Sequence, residues 1–311
     1  MSGMRARRDE NTGGDADRSA YLILLIPPLL WAGNFVVGRA IQGDITPVAL
    51  TFWRWALAAC VLLPLAGRAM WRARASVRRE WRLLTMLALS GVVGFQYVVY
   101  QGLRSTTAIN GVLIIASVPA VIPLFAYGLD RSRISVRQMV GIAVSMLGVV
   151  VIVLRGDPAA ALDLHLAPGD LWISLAVPMW ALYSVLVRRR PDALSPLALL
   201  LAIVLFGLAA LVPAYLLEFA DIGGFRIDPP ALAAIAYVGV GASVLAFWCW
   251  NRGVAGVGAS KAGLYLHLMP VFAALLATVF LGERIHPYHG LGVILIGAGL
   301  YLSSTARSGR S

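Results

Sequence analysis

Few side chains in the apolar part of this chain could do chemistry, and Lys261 and His267 stand out among them. Lys261 is the only lysine in the chain. Both residues lie in an apolar stretch long enough to cross a bilayer, where an ionisable group is costly and is therefore a functional candidate. A lysine suits an anionic group on a ligand, and a histidine can hydrogen-bond a ligand or carry a proton. The alternatives are a lysine that extends to the surface and a histidine bonded to a neighbouring carbonyl.

Arg54 is the other ionisable group well inside an apolar stretch. It lies about two helical turns after Pro47, so we expect it to reach the surface or to pair with Asp44, with substrate contact as the alternative. All 15 Asp and Glu residues fall in the N-terminal tail, in loops or at the ends of apolar stretches. A proton-coupled pump for cationic drugs usually needs a carboxylate inside the membrane. The sequence therefore argues against that class.

Aromatic and amide side chains recur in the same stretches. Trp31 and Trp180 occupy related positions of an internal repeat, and we expect them to line a cavity. Trp248 and Trp250 lie near the end of a stretch, a position typical of the aromatic belt at a membrane surface. The candidate substrate-binding residues are, in chain order, Trp31, Asn34, Tyr97, Tyr100, Asn110, Trp180, Tyr183, Lys261, Tyr265 and His267.

No residue spacing typical of a catalytic or cofactor centre occurs. The chain has no HExxH pattern and no glycine-rich phosphate loop on a soluble domain. Ser243 and His267 are an embedded serine and histidine, but the residues around Ser243 do not match a serine protease. We therefore predict no metal, no cofactor and no enzymatic activity; an intramembrane enzyme is the alternative of another class. The two cysteines, Cys60 and Cys249, lie in apolar stretches and are predicted to be free thiols.

The elements that must position these residues are membrane-spanning helices. The chain has 311 residues, of which 59% are hydrophobic and 13% charged, with a mean hydropathy of +0.80. A soluble domain of this size would carry more charge, and apolar segments of about 20 residues recur along the chain. We predict an all-α polytopic membrane protein with ten transmembrane helices, at 21–40, 47–67, 82–102, 107–127, 136–154, 169–187, 196–217, 232–251, 258–280 and 288–304.

The ten predicted helices form two copies of one five-helix unit. Residues of the first half recur in the second at an offset of 149, as in Trp31 and Trp180, and further on at an offset of 151, as in Pro119 and Pro270. A small insertion accounts for the change of offset. The predicted parts are a disordered tail (1–20), a first repeat (21–155), a second repeat (169–304) and a short tail (305–311). Because each repeat has five spans, the second must enter the membrane from the opposite side, so the repeats are inverted.

Arginines indicate the orientation of the chain. With the N-terminus in the cytoplasm, 19 arginines lie on the inner side and five on the outer side, which is the bias expected of a membrane protein. The net charge of +11 is explained in this way without nucleic acid as a partner. We predict a multi-pass protein of the bacterial inner membrane with both termini in the cytoplasm, surrounded by lipid, as a monomer or homodimer.

Two stretches carry a resemblance to a known family. The residues from Leu103 to Pro119 follow the pattern LxxTxAxNGxLIxxxxP, and the stretch from Gly258 to Ile285 reads GASKAGLYLHLMPVFAALLATVFLGERI. Both are similar to the EamA-type repeat of the drug/metabolite transporter superfamily, and the likeness extends over nearly the whole chain. Within the superfamily the chain resembles most the bacterial exporters of aromatic amino acids and metabolites. The first repeat has Asp130 to Arg133 where the second has LGER, so a family role of the glutamate transfers only to Glu283.

The inverted repeat and the resemblance together predict a secondary transporter. We expect it to export small metabolites, amino acids first, by alternating access around a cavity between the two halves. An exchanger of sugar phosphates or nucleotide sugars is the alternative within transport, although more embedded Lys and Arg would be expected. Pro119, Pro123 and Pro270 are the candidate kink or hinge positions, because proline in a membrane helix leaves a carbonyl unpaired.

Overall fold

The computed structural model describes residues 19–132, 134–161, 167–281 and 286–304. Within these residues the chain is a bundle of ten long helices joined by short connections. Their bounds are α1 Ser19–Ala40, α2 Pro47–Arg72, α3 Trp81–Leu103, α4 108–130, α5 Val136–Val153, α6 Pro168–Arg189, α7 Pro196–Ile222, α8 Pro229–Val257, α9 259–281 and α10 Pro287–Ser304. Glu283 and the predicted terminal tails, apart from residues 19 and 20, lie outside the described residues.

Length and composition allow most of these helices to cross a bilayer. In the part of the chain that the structure describes, nine helices are long and apolar enough to do so. The tenth, α10, has 18 residues but opens on Pro287, Tyr288 and His289, which lower its hydropathy. The prediction of an all-helical polytopic protein is confirmed, and nine of the ten helices in the described part of the chain meet both the length and the hydropathy expected of a membrane span.

The second helix of each repeat begins in the same way. The hydroxyl of Thr46 accepts a hydrogen bond from the N–H of Ala49 at 3.1 Å, and that of Ser195 accepts one from Ala198 at 3.3 Å. Each cap residue is followed by a proline at the first helical position, where its missing N–H costs nothing. Local sequence therefore starts α2 and α7 at repeat-equivalent positions.

Equivalent helices of the two repeats pack against each other in opposite directions. At the crossing of α5 and α10, an added Cβ on Gly141 would lie 2.7 Å from the carbonyl oxygen of Gly299, and one on Gly148 would lie 2.7 Å from that of Gly292. Gly141 thus faces the later glycine of α10 and Gly148 the earlier one, so the helices are antiparallel. Glycine at these positions lets the two backbones touch. A two-fold axis that relates such helices lies in the plane of the membrane.

Several other contacts between the repeats follow the same symmetry. Helix α2 packs against α7, its own equivalent. Helix α6 packs against α3 and α4, and its equivalent α1 packs against α8 and α9. Each of these contacts therefore has a counterpart with the roles of the repeats exchanged. The structure is thus an inverted two-repeat bundle, as predicted.

Helices α3 and α8 each contain a π-helical segment at the same place. The segments are Ala88–Gly94 and Tyr237–Leu245. They begin 149 residues apart and end 151 residues apart, so the two-residue insertion lies inside the π-helical part of α8. A π-helix accommodates an insertion without breaking the helix and exposes carbonyls that the α-helical pattern would occupy. Two of these carbonyls are used at the centre of the molecule.

Candidate functional site

Tryptophans from equivalent positions of the two repeats meet at the centre of the bundle. The rings of Trp31 and Trp180 lie edge to face, with their centroids 4.9 Å apart. Phe247 and Trp250 of α8 complete the cluster at 5.3 and 5.5 Å from Trp180. All four residues are buried. A residue that contacts its own repeat equivalent lies next to the two-fold axis, so this cluster marks the boundary between the halves.

The π-helical segments hold the tryptophans in place. The indole N–H of Trp31 donates to the carbonyl of Ala242 in α8 at 3.0 Å. The indole N–H of Trp55 in α2 donates to the carbonyl of Val92 in α3 at 2.9 Å. Each carbonyl belongs to a π-helical segment, where it is free to accept a side chain. The backbone irregularity of α3 and α8 therefore positions the aromatic residues of the site.

Two tyrosine–asparagine pairs flank the cluster and are related by the repeat. The Tyr100 hydroxyl donates to Asn34 Oδ1 at 2.8 Å, and the Tyr183 hydroxyl donates to Asn251 Oδ1 at 2.8 Å. Asn34 is equivalent to Tyr183 at the offset of 149, and Tyr100 is equivalent to Asn251 at the offset of 151. The two halves thus build the same hydrogen bond with tyrosine and asparagine exchanged.

Arg54 is completely buried at the centre of this polar region, with 0% of its surface exposed. Its Nε donates to Ser243 Oγ at 2.8 Å, and its Nη1 has three acceptors within reach. These are Asn34 Oδ1 at 3.2 Å, Gln96 Oε1 at 2.7 Å and the Tyr100 hydroxyl oxygen at 2.5 Å. All four partners are neutral. The expectation that Arg54 reaches the surface or pairs with Asp44 is therefore wrong.

Several buried donors at the centre have no partner. Among the described residues, six buried side-chain polar atoms lack a hydrogen bond: Arg54 Nη2, Trp180 Nε1, Trp250 Nε1, Asn251 Nδ2, Ser184 Oγ and Ser303 Oγ. The four nitrogen atoms are all donors and belong to residues of the cluster or of the polar network around it. A buried donor without an acceptor costs free energy of about 1–3 kcal/mol, so the centre of the molecule is poised to bind acceptor atoms.

His267 bridges the two halves next to the same axis. Its Nε2 lies 2.8 Å from the carbonyl oxygen of Ala116, and its Nδ1 lies 2.6 Å from Ser145 Oγ. Because a carbonyl only accepts, Nε2 carries the proton and Nδ1 accepts from the serine. Ala116 is the repeat equivalent of His267 at the offset of 151. Both ring nitrogens are thus satisfied by the protein, which is the structural alternative stated above for this residue.

The breaks in α4 and α9 explain why a carbonyl is free at Ala116. Helix α4 consists of the segments Ala108–Ile115 and Val118–Asp130, and α9 is interrupted by a 3₁₀ turn at Leu264–Leu268. Both interruptions come immediately before the equivalent prolines Pro119 and Pro270. Pro123 follows inside the second segment of α4. A proline cannot donate to the preceding turn, so the carbonyls there are left for other donors such as His267.

Lys261 and Asn110 lie at opposite ends of the bundle. Lys261 is half-buried and donates from Nζ to the carbonyl of Ser304 at the end of α10, at 3.0 Å. Asn110 donates from Nδ2 to Asp170 Oδ2 at 3.5 Å. Inverted symmetry sends equivalent residues to opposite sides, so the two do not form one anion site. The structure brings neither of them to the central cluster.

The last two predicted residues also lie away from the cluster. Tyr97 is half-buried on α3, and its ring is perpendicular to that of Trp172 at 6.2 Å. Tyr265 is half-buried in the 3₁₀ turn of α9. Trp250, predicted to sit in an interfacial belt, is instead fully buried in the cluster, which corrects that expectation. Of the ten predicted residues, the structure gathers Trp31, Asn34, Tyr100, Trp180 and Tyr183 around the centre.

Sequence reasoning underrated Arg54, Gln96, Ser243, Phe247 and Asn251. One signal was available: Arg54 is an ionisable residue well inside an apolar stretch with no carboxylate one turn away. The partners of Arg54 come from α1, α3 and α8, and no spacing in the sequence relates these helices. They could be recognised only once the packing was known.

The fold and this site define a two-repeat helical membrane protein whose polar centre lies between inverted halves. The model of the EamA-like transporter family matches the chain twice, at residues 18–154 and 167–305. The chain therefore belongs to the EamA-like transporter family, and the resemblance to the drug/metabolite transporter superfamily is confirmed.

Relatives and a solved structure agree with this assignment. The uncharacterized transporter YyaM of Bacillus subtilis is 26% identical over 284 residues, which cover 91% of this chain and 93% of YyaM. An uncharacterized transporter of Archaeoglobus fulgidus is 27% identical over 293 residues, which cover 91% and 96%. A protein of known crystal structure shares the fold with a TM-score of 0.72 and 21% identity, over 92% of this chain and 96% of the other.

Proposed function

We propose that this transporter exports small metabolites, with amino acids as the first class, by alternating access across the bacterial inner membrane. The observation that carries the proposal is a pair of crevices, one at each end of the bundle, built from equivalent residues. The buried cluster of Trp31, Trp180, Phe247 and Trp250 lines neither crevice.

The two crevices have similar sizes and related walls. The first, of about 580 Å³, lies where α1 begins and α4 ends. The second, of about 600 Å³, lies where α4 begins and α5 ends. Four pairs of equivalent residues line them: Pro123 and Ala274, Gln138 and His289, Ala259 and Ala108, and Val185 and Val36.

Inverted symmetry supplies the physical reason for alternating access. Contacts that close one end of the bundle have equivalents at the other, so exchanging the conformations of the two halves gives a second state of similar energy. A substrate then reaches the centre from one crevice and leaves by the other.

The chemistry of the centre fits an amino acid. The unpaired N–H groups of Arg54, Asn251, Trp180 and Trp250 can donate to a carboxylate, and the faces of the clustered rings attract an ammonium group. An exchanger of sugar phosphates would need several cations around the phosphate. Only one buried cation is found here among the described residues.

Orientation follows from the arginines. With 19 arginines on one side and five on the other, the ends that carry the termini face the cytoplasm. The crevice that Lys261 and Arg188 line is then the cytoplasmic entrance, and export runs from it to the crevice at His289. Reporter fusions at the C-terminus, active only in the cytoplasm, test this orientation.

Transport is tested with purified protein in liposomes. We expect vesicles loaded with an unlabelled amino acid to accumulate the labelled one by counterflow, with empty vesicles and vesicles without protein as controls. All twenty amino acids are screened, together with a sugar phosphate and a cationic dye. Counterflow of the sugar phosphate or the dye without any amino acid would contradict the proposed substrate class, and no flux of any compound would contradict transport of small metabolites.

A further inference from the structure

We propose that the Arg54 guanidinium is the binding site for a carboxylate group of the transported substrate. This inference rests on the proposed function and names the group that its substrates share. It concerns a residue that the family match does not single out, and it starts from the unpaired Nη2 of a fully buried arginine.

A buried arginine without a counter-ion calls for an explanation. The four acceptors around Arg54 are a serine, an asparagine, a glutamine and a tyrosine, which satisfy N–H groups but leave the positive charge unneutralised. The ion pairs found among the described residues, Arg79–Glu80, Arg189–Asp130 and Arg226–Asp228, do not include it. A full charge in a low-dielectric centre is expensive unless it is paired. The missing anion is therefore expected from the ligand.

The position of Arg54 is central to both halves. Its Nε bond to Ser243 joins α2 of the first repeat to α8 of the second. The neighbouring residue Ala242 accepts from Trp31, so the guanidinium network adjoins the aromatic cluster. The equivalent of Arg54 in the second repeat is Ile203. One charge, and not two, thus serves the site, which limits the substrate to about one anionic group at this point.

The rest of the centre has the same preference. The other unpaired nitrogens, on Trp180, Trp250 and Asn251, are donors. Asp170 is a buried carboxylate elsewhere in the bundle. It accepts hydrogen bonds from Thr106, from Asn110 and from the N–H of Ala167. The structure thus assigns the site to molecules with a carboxylate and no net positive charge, either zwitterions or monoanions. A cationic compound would place a second positive charge beside Arg54.

Ligand chemistry tests the inference without any mutation. Thermal stabilisation of the purified protein is measured with each of the twenty common amino acids. The strongest ligand is then compared with its amide, which lacks the carboxylate, and with its deaminated acid, which lacks the ammonium. We expect the amide to bind at least about tenfold more weakly, because a charge-assisted hydrogen bond is lost, and the deaminated acid to keep binding. An amide that binds as well as the acid, or no stabilisation by any acid, overturns the proposal.

Variants then test whether Arg54 causes the preference for the acid over the amide. We expect R54Q to lose the preference for acid over amide, R54K to keep part of it, and R104Q to behave as the unaltered protein because Arg104 is exposed at the end of α3. If R54Q retains the full preference, the carboxylate binds elsewhere and the proposal fails. Should R54Q not fold, R54K and the comparison of acid with amide decide.

The experiments distinguish a failure of the Arg54 site from a failure of the proposed transport function. Selective binding of acids without counterflow would leave the Arg54 site standing and contradict transport. Equal counterflow of acids and amides would leave transport standing and contradict the Arg54 site.

Discussion

His267 and Arg54 show that a buried ionisable residue can be satisfied by the protein or left in need of a ligand. His267 has a partner at each ring nitrogen, and both partners belong to the first repeat. Arg54 has neutral partners on two nitrogens and none on the third. This difference is the reason that we propose a ligand-binding role for the arginine and infer a structural role for the histidine.

Replacing His267 is expected to destabilise the bundle. His267→Ala leaves the carbonyl of Ala116 unpaired and opens a cavity, so we expect a loss of about 2–4 kcal/mol in the free energy of unfolding. His267→Gln keeps a donor within reach and should restore part of the loss. Unfolding in mixed micelles with rising SDS measures both values. A fully stable His267→Ala protein would contradict this structural role, and one that loses only the pH dependence of transport would indicate a proton carrier instead.

Lys261 is expected to act at the entrance. It lines the first crevice and holds the end of α10 through Ser304. Because the lysine is half-buried, we expect Lys261→Ala to cost less than about 1 kcal/mol of stability while raising the KM for substrate offered from that side. Lys261→Arg should restore the KM. A change in kcat with an unaltered KM, measured by flux in oriented vesicles, would argue against a role at the entrance.

The sequence could indicate which residues are unusual, but not which of them meet. Trp31 and Trp180 were predicted to line one cavity because they are equivalent and deep in their helices, and the structure brings them together. Lys261 and Asn110 are also equivalent, at the offset of 151, but the structure does not bring them together, because the two-fold axis carries residues near the ends of inverted helices to opposite surfaces. The partners of Arg54 depend on the rotation of four helices about their axes, which helical periodicity in an all-apolar segment does not determine.

At the scale of elements, the contact between α5 and α10 depends on glycine. We expect Gly148→Ala to force the helices apart, because its Cβ would lie 2.7 Å from the backbone oxygen of Gly292, with a cost of about 1–3 kcal/mol. Gly297→Ala is the matched control, since no atom lies within 4 Å of the added Cβ. It should be neutral or stabilise by up to about 1 kcal/mol. Equal effects of the two variants in SDS titrations would contradict this packing.

Hydropathy and the repeat predict the helices well, and local capping residues explain several of their starts. The π-helical segments of α3 and α8 were not predicted. Their trace in the sequence is the change of offset from 149 to 151, which revealed an insertion but not its form. An insertion inside a continuous helix must be absorbed as a bulge, and the bulge in α8 frees the carbonyl of Ala242 for Trp31. A change of repeat offset within an apolar segment is therefore a signal for a functional irregularity.

At the scale of the whole molecule, polar contacts between the region of α4 and α6 are formed at both ends of the bundle. At the end where α1 begins, Arg189 Nε and Nη2 lie 3.0 and 2.5 Å from Asp130 Oδ1. At the opposite end, the Thr106 hydroxyl donates to Asp170 Oδ1 at 2.5 Å. Both contacts are formed in this structure. In a transport cycle by alternating access, each of these two polar contacts must break in turn.

Cross-linking tests this requirement directly. Cysteine pairs at positions 130 and 189, or at 106 and 170, are introduced into a protein whose Cys60 and Cys249 have been replaced by alanine. We expect a short, reducible thiol cross-linker to abolish counterflow at either pair, with recovery after reduction, because a molecule that cannot open one end cannot complete a cycle. Each single-cysteine protein, treated identically, should keep its activity. If one cross-linked pair blocks transport and the other does not, the repeats do not exchange roles, and helices α4 and α6 move apart at one end alone.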